Sequence, residues 1–519
     1  MLSAILEFHN PAAPVPLAFS ASSPAARRTA EGSALGFAVS GMRTHYTAAS
    51  TDAELSSFQR PLRTICIHAD TLPQSFHNAL WWVSRDGPNV PVAFRAARLS
   101  GSLHFGVSAD AATTTATTAA AVRPGATVAR PTVTELSAVE GATAAVVRRC
   151  TSLFVAGSRL RELRLNPSAL PLLERLDVSN CHCLRTVQWC SISPAAAPHG
   201  EAPVLAGLKV LRASFSGVVE LPAARLAAWA PAVASVHFSG CRALSAAQMD
   251  SLLCGAAEVT AARLDGTRLT TLRSIVDSCP WMAELNVSGC AELRDASRIA
   301  ELRYLRVLDL HGSRALASLR GVGGCRALRI LDVSHCTRLT TLQPLSDGCG
   351  LPALQHLNVS SCTSLLDTQL EVLRGCEMLE SVSVNGCAAV ADVSALARKQ
   401  NLAVLRANDT ALASVVALQS CPALQELSVA GCGRLESLAP LQGLDELTSI
   451  DACFTGITRV AELVDQCDSL RVMLLRECML DAESTGRLEA RAARVASTRR
   501  SVHRTSITAA AAASTGVVA

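Results

Sequence analysis

The chain has 519 residues, a net charge of +4 and 49% apolar residues, yet only 3% aromatics. That charge is too small for the length to mark a dedicated nucleic-acid binder, and the core must be built from Leu, Val, Ala and Cys rather than rings. Twenty cysteines fall below the density of a disulfide scaffold.

The first stretch, "MLSAILEFHNPAAPVPLAFSASS", has no basic start, and Glu7 and Pro11 interrupt its apolar residues. We read no signal peptide there, and no apolar run of about 18 residues anywhere. An intracellular, cytoplasmic and reducing location is therefore expected. Residues 1–60 are rich in Ala, Ser and Pro without a period and are expected to be disordered. Residues 61–110 hold candidate strands at 62–70 and 90–107 and a candidate short helix at 76–83. They read equally as a small cap or as the degenerate beginning of a repeat array. Residues 111–149, opening "AATTTATTAAAVRPGAT", read as a low-complexity linker leading to an N-terminal cap.

From Cys150 a pattern recurs. In "LRILDVSHCTRLTTLQPL" (328–345) the leucines fit neither the period of 3.6 nor that of 2, so a short strand must give way to a sharp turn. Taking the first apolar residue of each unit as a marker gives 150, 173, 208, 233, 259, 282, 305, 328, 354, 379, 402, 424, 447 and 470. These fourteen units span 150–480, and their commonest spacing of 23 residues suits leucine-rich repeats rather than helix-pair repeats. The first, fourth and sixth positions point into the coil. The ninth, at the bend after the strand, turns inward. Cys181, Cys241, Cys290, Cys336, Cys362, Cys387, Cys432 and Cys478 occupy it, with Thr or Ser in the other six units. Cys is small, readily buried and a weak S–H donor, so it can fill a slot that needs one. A second series, Cys279, Cys325, Cys376, Cys421 and Cys467, falls three residues before the next marker.

Units this short leave room for 3-10 turns or extended segments behind the strand. The longer ones, "LSAAQMDSLLCGA" (244–256) and "LLDTQLEVLRGC" (365–376), can hold two or three helical turns. Residues 481–500 read as a capping helix over the open C-terminal end, and 501–519 as a disordered tail.

Residues 150–480 resemble leucine-rich repeat proteins. The phrasing "LDVSHCTRLTTLQPL" and "LSVAGCGRLESLAPL" is similar to cysteine-bearing repeats of kinetoplastid proteins of the expression-site-associated type. The threonine units resemble the short repeats of bacterial internalins. The resemblance implies an α/β solenoid, or horseshoe, with a parallel sheet on its concave face and short helices, 3-10 turns or extended segments on the convex one. It also implies binding of other proteins through the concave face.

No catalytic or cofactor motif stands out: there is no phosphate loop, no H-E-x-x-H and no G-x-S-x-G. No enzyme activity, cofactor or metal is therefore expected. "GVGGC" (321–325) reads as a turn between repeats. Cys181, Cys183, Cys190 and His199 form a metal-like cluster, but their spacing matches no standard zinc site. Sequons at Asn286, Asn358 and Asn408 read as by-products of the repeat.

Between the inward positions, the fifth and seventh residues of each unit face the concavity. The candidate contact residues there are Asp177, Arg212, His237, Arg263, Asp265, Asn286, Asp309, His311, Asp332, Asn358, Asn385, Arg406, Asn408 and Asp451. The expected function is a non-enzymatic scaffold that binds a protein partner, with no membrane span. The basic stretch 487–504 is the one place where RNA or an acidic partner could be drawn. Two rivals remain open. One is a substrate-recognition subunit of a ubiquitin ligase, with "LPQSFHNALWWV" (72–83) as an F-box-like start. The other is a secreted or surface recognition protein.

Overall fold

In the computed structural model the described residues are 148–189, 204–347 and 350–501, less 156, 158 and 224. To these are added the strands Gly36–Ser40, His45–Thr47, Thr64–His68, Val92–Arg95, Ser100–Phe105 and Val517–Val518. The candidate helix 76–83, the linker 111–147 and the pair Cys190 and His199 lie outside them.

All fourteen units place a strand over their third to fifth positions, from Cys150–Phe154 and Arg175–Asp177 to Ser449–Asp451 and Val472–Leu474. The strands are short because the chain must turn inward at once to bury the sixth and ninth positions. The fourth-position residues Leu176, Leu211, Val236, Leu308, Leu331, Leu357 and Leu427 are all essentially buried. No single unit encloses such a residue; only stacked neighbours do.

The chain divides into two compact units, residues 1–267 with 277–279, and residues 268–276 with 280–519. In the first, parallel pairing runs from Thr64–His68 through Val92–Arg95 and Cys150–Phe154 to Arg175–Asp177. It continues through Val210–Arg212 and Ser235–His237 to Ala261–Arg263. In the second, nine strands from Glu284–Asn286 to Val472–Leu474 pair in parallel, each with the next, in one unbroken register. Like therefore stacks on like, Leu308 beside Leu331 beside Leu357. Each unit is built as an α/β leucine-rich repeat solenoid.

Behind the strands the segments are short helices of both kinds. Most 23-residue units carry 3-10 segments such as Ser297–Glu301 and Val322–Gly324, while two hold the short α-helices Arg273–Ser278 and Ala461–Gln466. The 26-residue unit that starts at Val233 has room for the α-helix Ala246–Leu253, opened by a capping box between Ser245 and Gln248. The stretch 365–376 forms a nine-residue 3-10 helix, Asp367–Gly375, which gives the expected helical turns in the tighter geometry. At the start of the array the back is a second parallel sheet, Ser100–Phe105, Arg159–Leu165 and Thr186–Trp189. Its middle strand, "RLRELRL", buries Leu160, Leu163 and Leu165, an alternation broken by a register shift between Leu160 and Glu162.

Three segments differ from the expectation of disorder at the termini. Gly36–Ser40 pairs antiparallel with both His45–Thr47 and Thr64–His68. At the other end Val517–Val518 pairs antiparallel with Met473 and Leu474. An open sheet edge leaves a row of unpaired backbone groups, and β-prone residues nearby on the chain supply the partner. The helix Ala482–Ser501 covers the last coil, with Leu488 buried and Ser484 Oγ accepting from Val460 N–H at 2.9 Å.

Both cysteine series act as internal donors. Cys181, Cys241, Cys336, Cys362, Cys387, Cys432 and Cys478 each donate from Sγ to the sixth-position carbonyl of the preceding unit, at 2.8–3.3 Å. Ser313 does the same to Val287 at 3.2 Å. In the second series Cys325 and Cys421 donate to Ile299 and Leu396 at 3.3 and 3.2 Å. Lys399, three residues before its marker, takes the comparable slot and donates from Nζ to Arg374 O at 2.9 Å. Burial lowers its pKa.

Candidate functional site

The fifth and seventh side chains lie along the open face of the sheet, and many of them have internal work. In the strand register the seventh-position N–H has no partner on the neighbouring strand. An Asp or Asn at the fifth position supplies one. Asp177, Asn286, Asp309, Asp332, Asn358 and Asp451 each accept through Oδ1 from the N–H two residues on, at 2.8–3.3 Å. These are Asx turns. They explain the recurrent D/N-x-S, and with it the sequons at Asn286 and Asn358. At Asn408, Oδ1 accepts from Ala430 N–H and Ser428 Oγ–H, each at 2.8 Å.

Other side chains link neighbouring units. In the second compact unit, His311 Nδ1 lies 2.7 Å from Ser334 Oγ, which donates to Asp332. The other Asp332 oxygen accepts from Asn358 Nδ2 at 2.9 Å. Ser360 and Ser383 share a hydroxyl contact at 2.8 Å, and Asn385 Oδ1 accepts from Asn408 N–H at 2.8 Å. Arg406 grips both carboxylate oxygens of Glu426 at 2.8 and 3.0 Å. Asp309 and Asp332 are buried, whereas His311 is exposed with its ring edge-on to His335, centroids 5.0 Å apart.

In the first compact unit the face is cationic. Arg212, His237 and Arg263 take the fifth position on consecutive strands, half-buried. Burial lowers the pKa of Arg212 against the opposing pull of Asp177. Burial first, then the two arginines, hold His237 down at about 3, and its Nε2 lies 3.0 Å from Ser235 Oγ. Asp265 accepts from Ser239 Oγ at 2.5 Å.

A pH dependence arises from His237. Above about pH 6.5 the ring is neutral whether the chain is folded or unfolded. As pH falls, the unfolded chain takes up a proton that the folded ring does not accept until about 3. Its contribution is therefore complete above about pH 6.5 and is lost progressively as pH falls towards the folded value. His237→Asn is expected to flatten this slope, read as the urea midpoint at a series of pH values.

Sequence reasoning missed the eighth position. In all fourteen units this residue has a positive φ, between 52° and 77°. Seven are glycine: Gly157, Gly240, Gly266, Gly289, Gly312, Gly386 and Gly431. Seven are not, among them Phe215, His335 and Phe454. In twelve of the units the bend aims the eighth-position N–H at the seventh-position carbonyl of the next unit, as in Phe215 to Ser239 at 2.6 Å and His335 to Ser360 at 2.7 Å. The Phe215 ring lies over Gly240, where a Cβ would fall 2.5 Å from the ring, so that glycine is required twice over.

Of the metal-like cluster, Cys181 is buried and bonded to Val155 O, while Cys183 is exposed. The seventeen described cysteines are all free thiols. No helix among the described residues is long and apolar enough to cross a membrane.

No family model matches the sequence. Solved structures do resemble it. A leucine-rich repeat protein of Leptospira interrogans is 14% identical, covering 68% of this chain and 90% of its own, with a TM-score of 0.46. An internalin of Listeria monocytogenes is 15% identical over 54% of this chain and 77% of its own, TM-score 0.39. The functional domain of InlJ from the same organism, described as including a cysteine ladder, is 21% identical over 53% and 59%, TM-score 0.36. The likeness is to leucine-rich repeat proteins. It concerns fold alone.

Proposed function

We propose that this chain is a non-enzymatic protein-interaction scaffold whose partner lies along the concave, strand-bearing face. One observation carries the reading: the side chains of that face are locked unit to unit, as in the His311–Ser334–Asp332–Asn358 series. A surface held in place before binding loses little conformational freedom when it is covered. With Asp and Asn engaged in Asx turns, we assign partner contact first to Arg212, His237, Arg263 and His311, which remain half-buried or exposed on that face. Free, buried thiols favour a reducing, intracellular setting over a secreted one. The likeness to cysteine-bearing kinetoplastid repeats rests on the wording of the units alone.

Proximity labelling in the native cell tests the reading, with a variant carrying Arg263→Glu, Arg406→Glu and Asp451→Arg. Its control is Arg374→Glu, on the 3-10 helix behind the strands. The face variant is expected to lose partners that the control keeps. If it keeps every one, the reading fails.

A further inference from the structure

A second surface stands apart from the strand face, at the edge where the chain returns from the back to the strands of the second compact unit. Trp281 and Tyr304 each sit one residue before a marker on adjacent units. They are 53% and 50% exposed and stack with centroids 4.9 Å apart at 33°. In a chain with 3% aromatics, a Trp–Tyr pair left half in water is a costly use of apolar area.

The pair has cationic neighbours in register. Arg303 and Arg326 sit two residues before successive markers, and Arg306 and Arg329 one residue after them, all four exposed. Arg306 N–H donates to Ala283 O and Arg329 N–H to Arg306 O, each at 2.8 Å, so these positions form consecutive steps of the sheet edge. Among the described residues none of the four arginines makes an ion pair. Of the acidic groups on the same units, Glu301 is held by Arg298 at 2.9 Å, while Asp295, Asp309 and Asp332 each accept from the N–H two residues on, which leaves Glu284, Glu292 and Asp347 beside the four guanidiniums.

We infer that this edge is a docking surface for an acidic protein segment, with Trp281 and Tyr304 seating an apolar anchor and the four arginines taking carboxylates. Trp, Tyr and Arg are the residue types that dominate binding energy at protein interfaces. The planar fork of Arg matches a carboxylate with two hydrogen bonds. Strand steps of about 4.8 Å sit close to the roughly 5–6 Å between side chains one turn apart on a helix. An acidic helix could thus satisfy successive steps. A single-stranded nucleic acid would also seek rings and charge, but these rings are closed on each other, with no slot for a base between them.

The test uses the full chain and fluorescence anisotropy. Three labelled probes are compared: a short peptide of Glu-Glu-Leu repeats, its Lys-Lys-Leu counterpart, and oligouridylate. The acidic peptide is expected to bind, less tightly as salt rises, and the other two not to. Arg306→Glu with Arg329→Glu, and separately Trp281→Ala, are expected to weaken it about tenfold or more with the melting temperature unchanged. Arg263→Glu on the strand face is expected to leave it intact, so that failure here and failure of the concave-face reading are told apart. Equal binding of the Lys peptide, binding of oligouridylate alone, absence of binding to the acidic peptide, or edge variants that bind like the parent would each overturn the assignment.

Discussion

Gly321→Ala is expected to destabilise the second compact unit by about 2–5 kcal/mol, the sum of about 1–2 for a left-handed residue with a Cβ and about 1–3 for overpacking. Gly321 has φ +89°, and a Cβ there would overlap the carbonyl oxygen of Ser297 in the preceding unit. Gly323, two residues on, is pressed against the Pro344 and Asp347 carbonyls of the following unit. The glycines of "GVGGC" are therefore spacers between coils, in line with the sequence reading of a turn. Two other glycines separate the causes. Gly443→Ala, at φ +78° with open space around it, is expected to lose only the conformational part, about 1–2 kcal/mol. Gly433→Ala, with ordinary φ and open space, is expected to stay within about 0.5 kcal/mol. Urea midpoints of the three variants give the order directly; equal shifts would show that overlap between coils plays no part.

The second large effect sits at the far end. The guanidinium of Arg491, on the helix Ala482–Ser501, donates to the carbonyls of Cys467, Leu470 and Asp468 at 2.7, 2.9 and 3.1 Å, and to that of Val464. The helix Ala461–Gln466 ends here, where carbonyls lose their intrahelical partners. One side chain answers the helix carbonyl of Val464, the cap carbonyl of Cys467 and two carbonyls of the turn beyond. Charged hydrogen bonds and stranded acceptors together make Arg491→Ala worth about 2–4 kcal/mol of local stability. Faster amide exchange over residues 461–475 is the expected signature, and Arg491→Lys should recover only part of the protection because a point charge lacks the fork. Arg459→Ala, whose ion pair with Asp481 is exposed, should change little. Unaltered exchange in Arg491→Ala would mean that the helix does not hold the last coil.

The repeat itself was legible in the sequence because burial enforces it. A residue at the fourth position either enters the coil or breaks the stack, so its apolar character survives in every unit and the strands fall where the markers place them. The ninth position was legible for the same reason, since a buried bend needs a small donor. The eighth was not. Its left-handed geometry is imposed by backbone bonds to the next unit, and these hold whether the residue is Gly240 or Phe215, so half of the positions carry no glycine to read. The fifth position was read for its chemistry and not for its local use. Asp332 and Asn358 look like contacts for a partner, yet each first serves the N–H two residues ahead. A side chain that caps its own turn and one that waits for a ligand are the same letter in a sequence; only the hydrogen-bond register separates them. The Trp281–Tyr304 pair was missed because its two members lie 23 residues apart, one full unit, and meet only when the coils stack.

Above all, the ladder thiols are interior donors that tie one coil to the next. Burial drives the Cys336 and Cys362 thiols up to about 12, so they lack both access and thiolate. Mass-resolved alkylation of the folded full chain at neutral pH measures this site by site. Cys183, exposed, should be modified quickly, and Cys336, Cys362, Cys387 and Cys432 only once urea unfolds the chain. Ladder cysteines that react alongside Cys183 in the folded protein, or that are recovered as disulfides, would contradict the account.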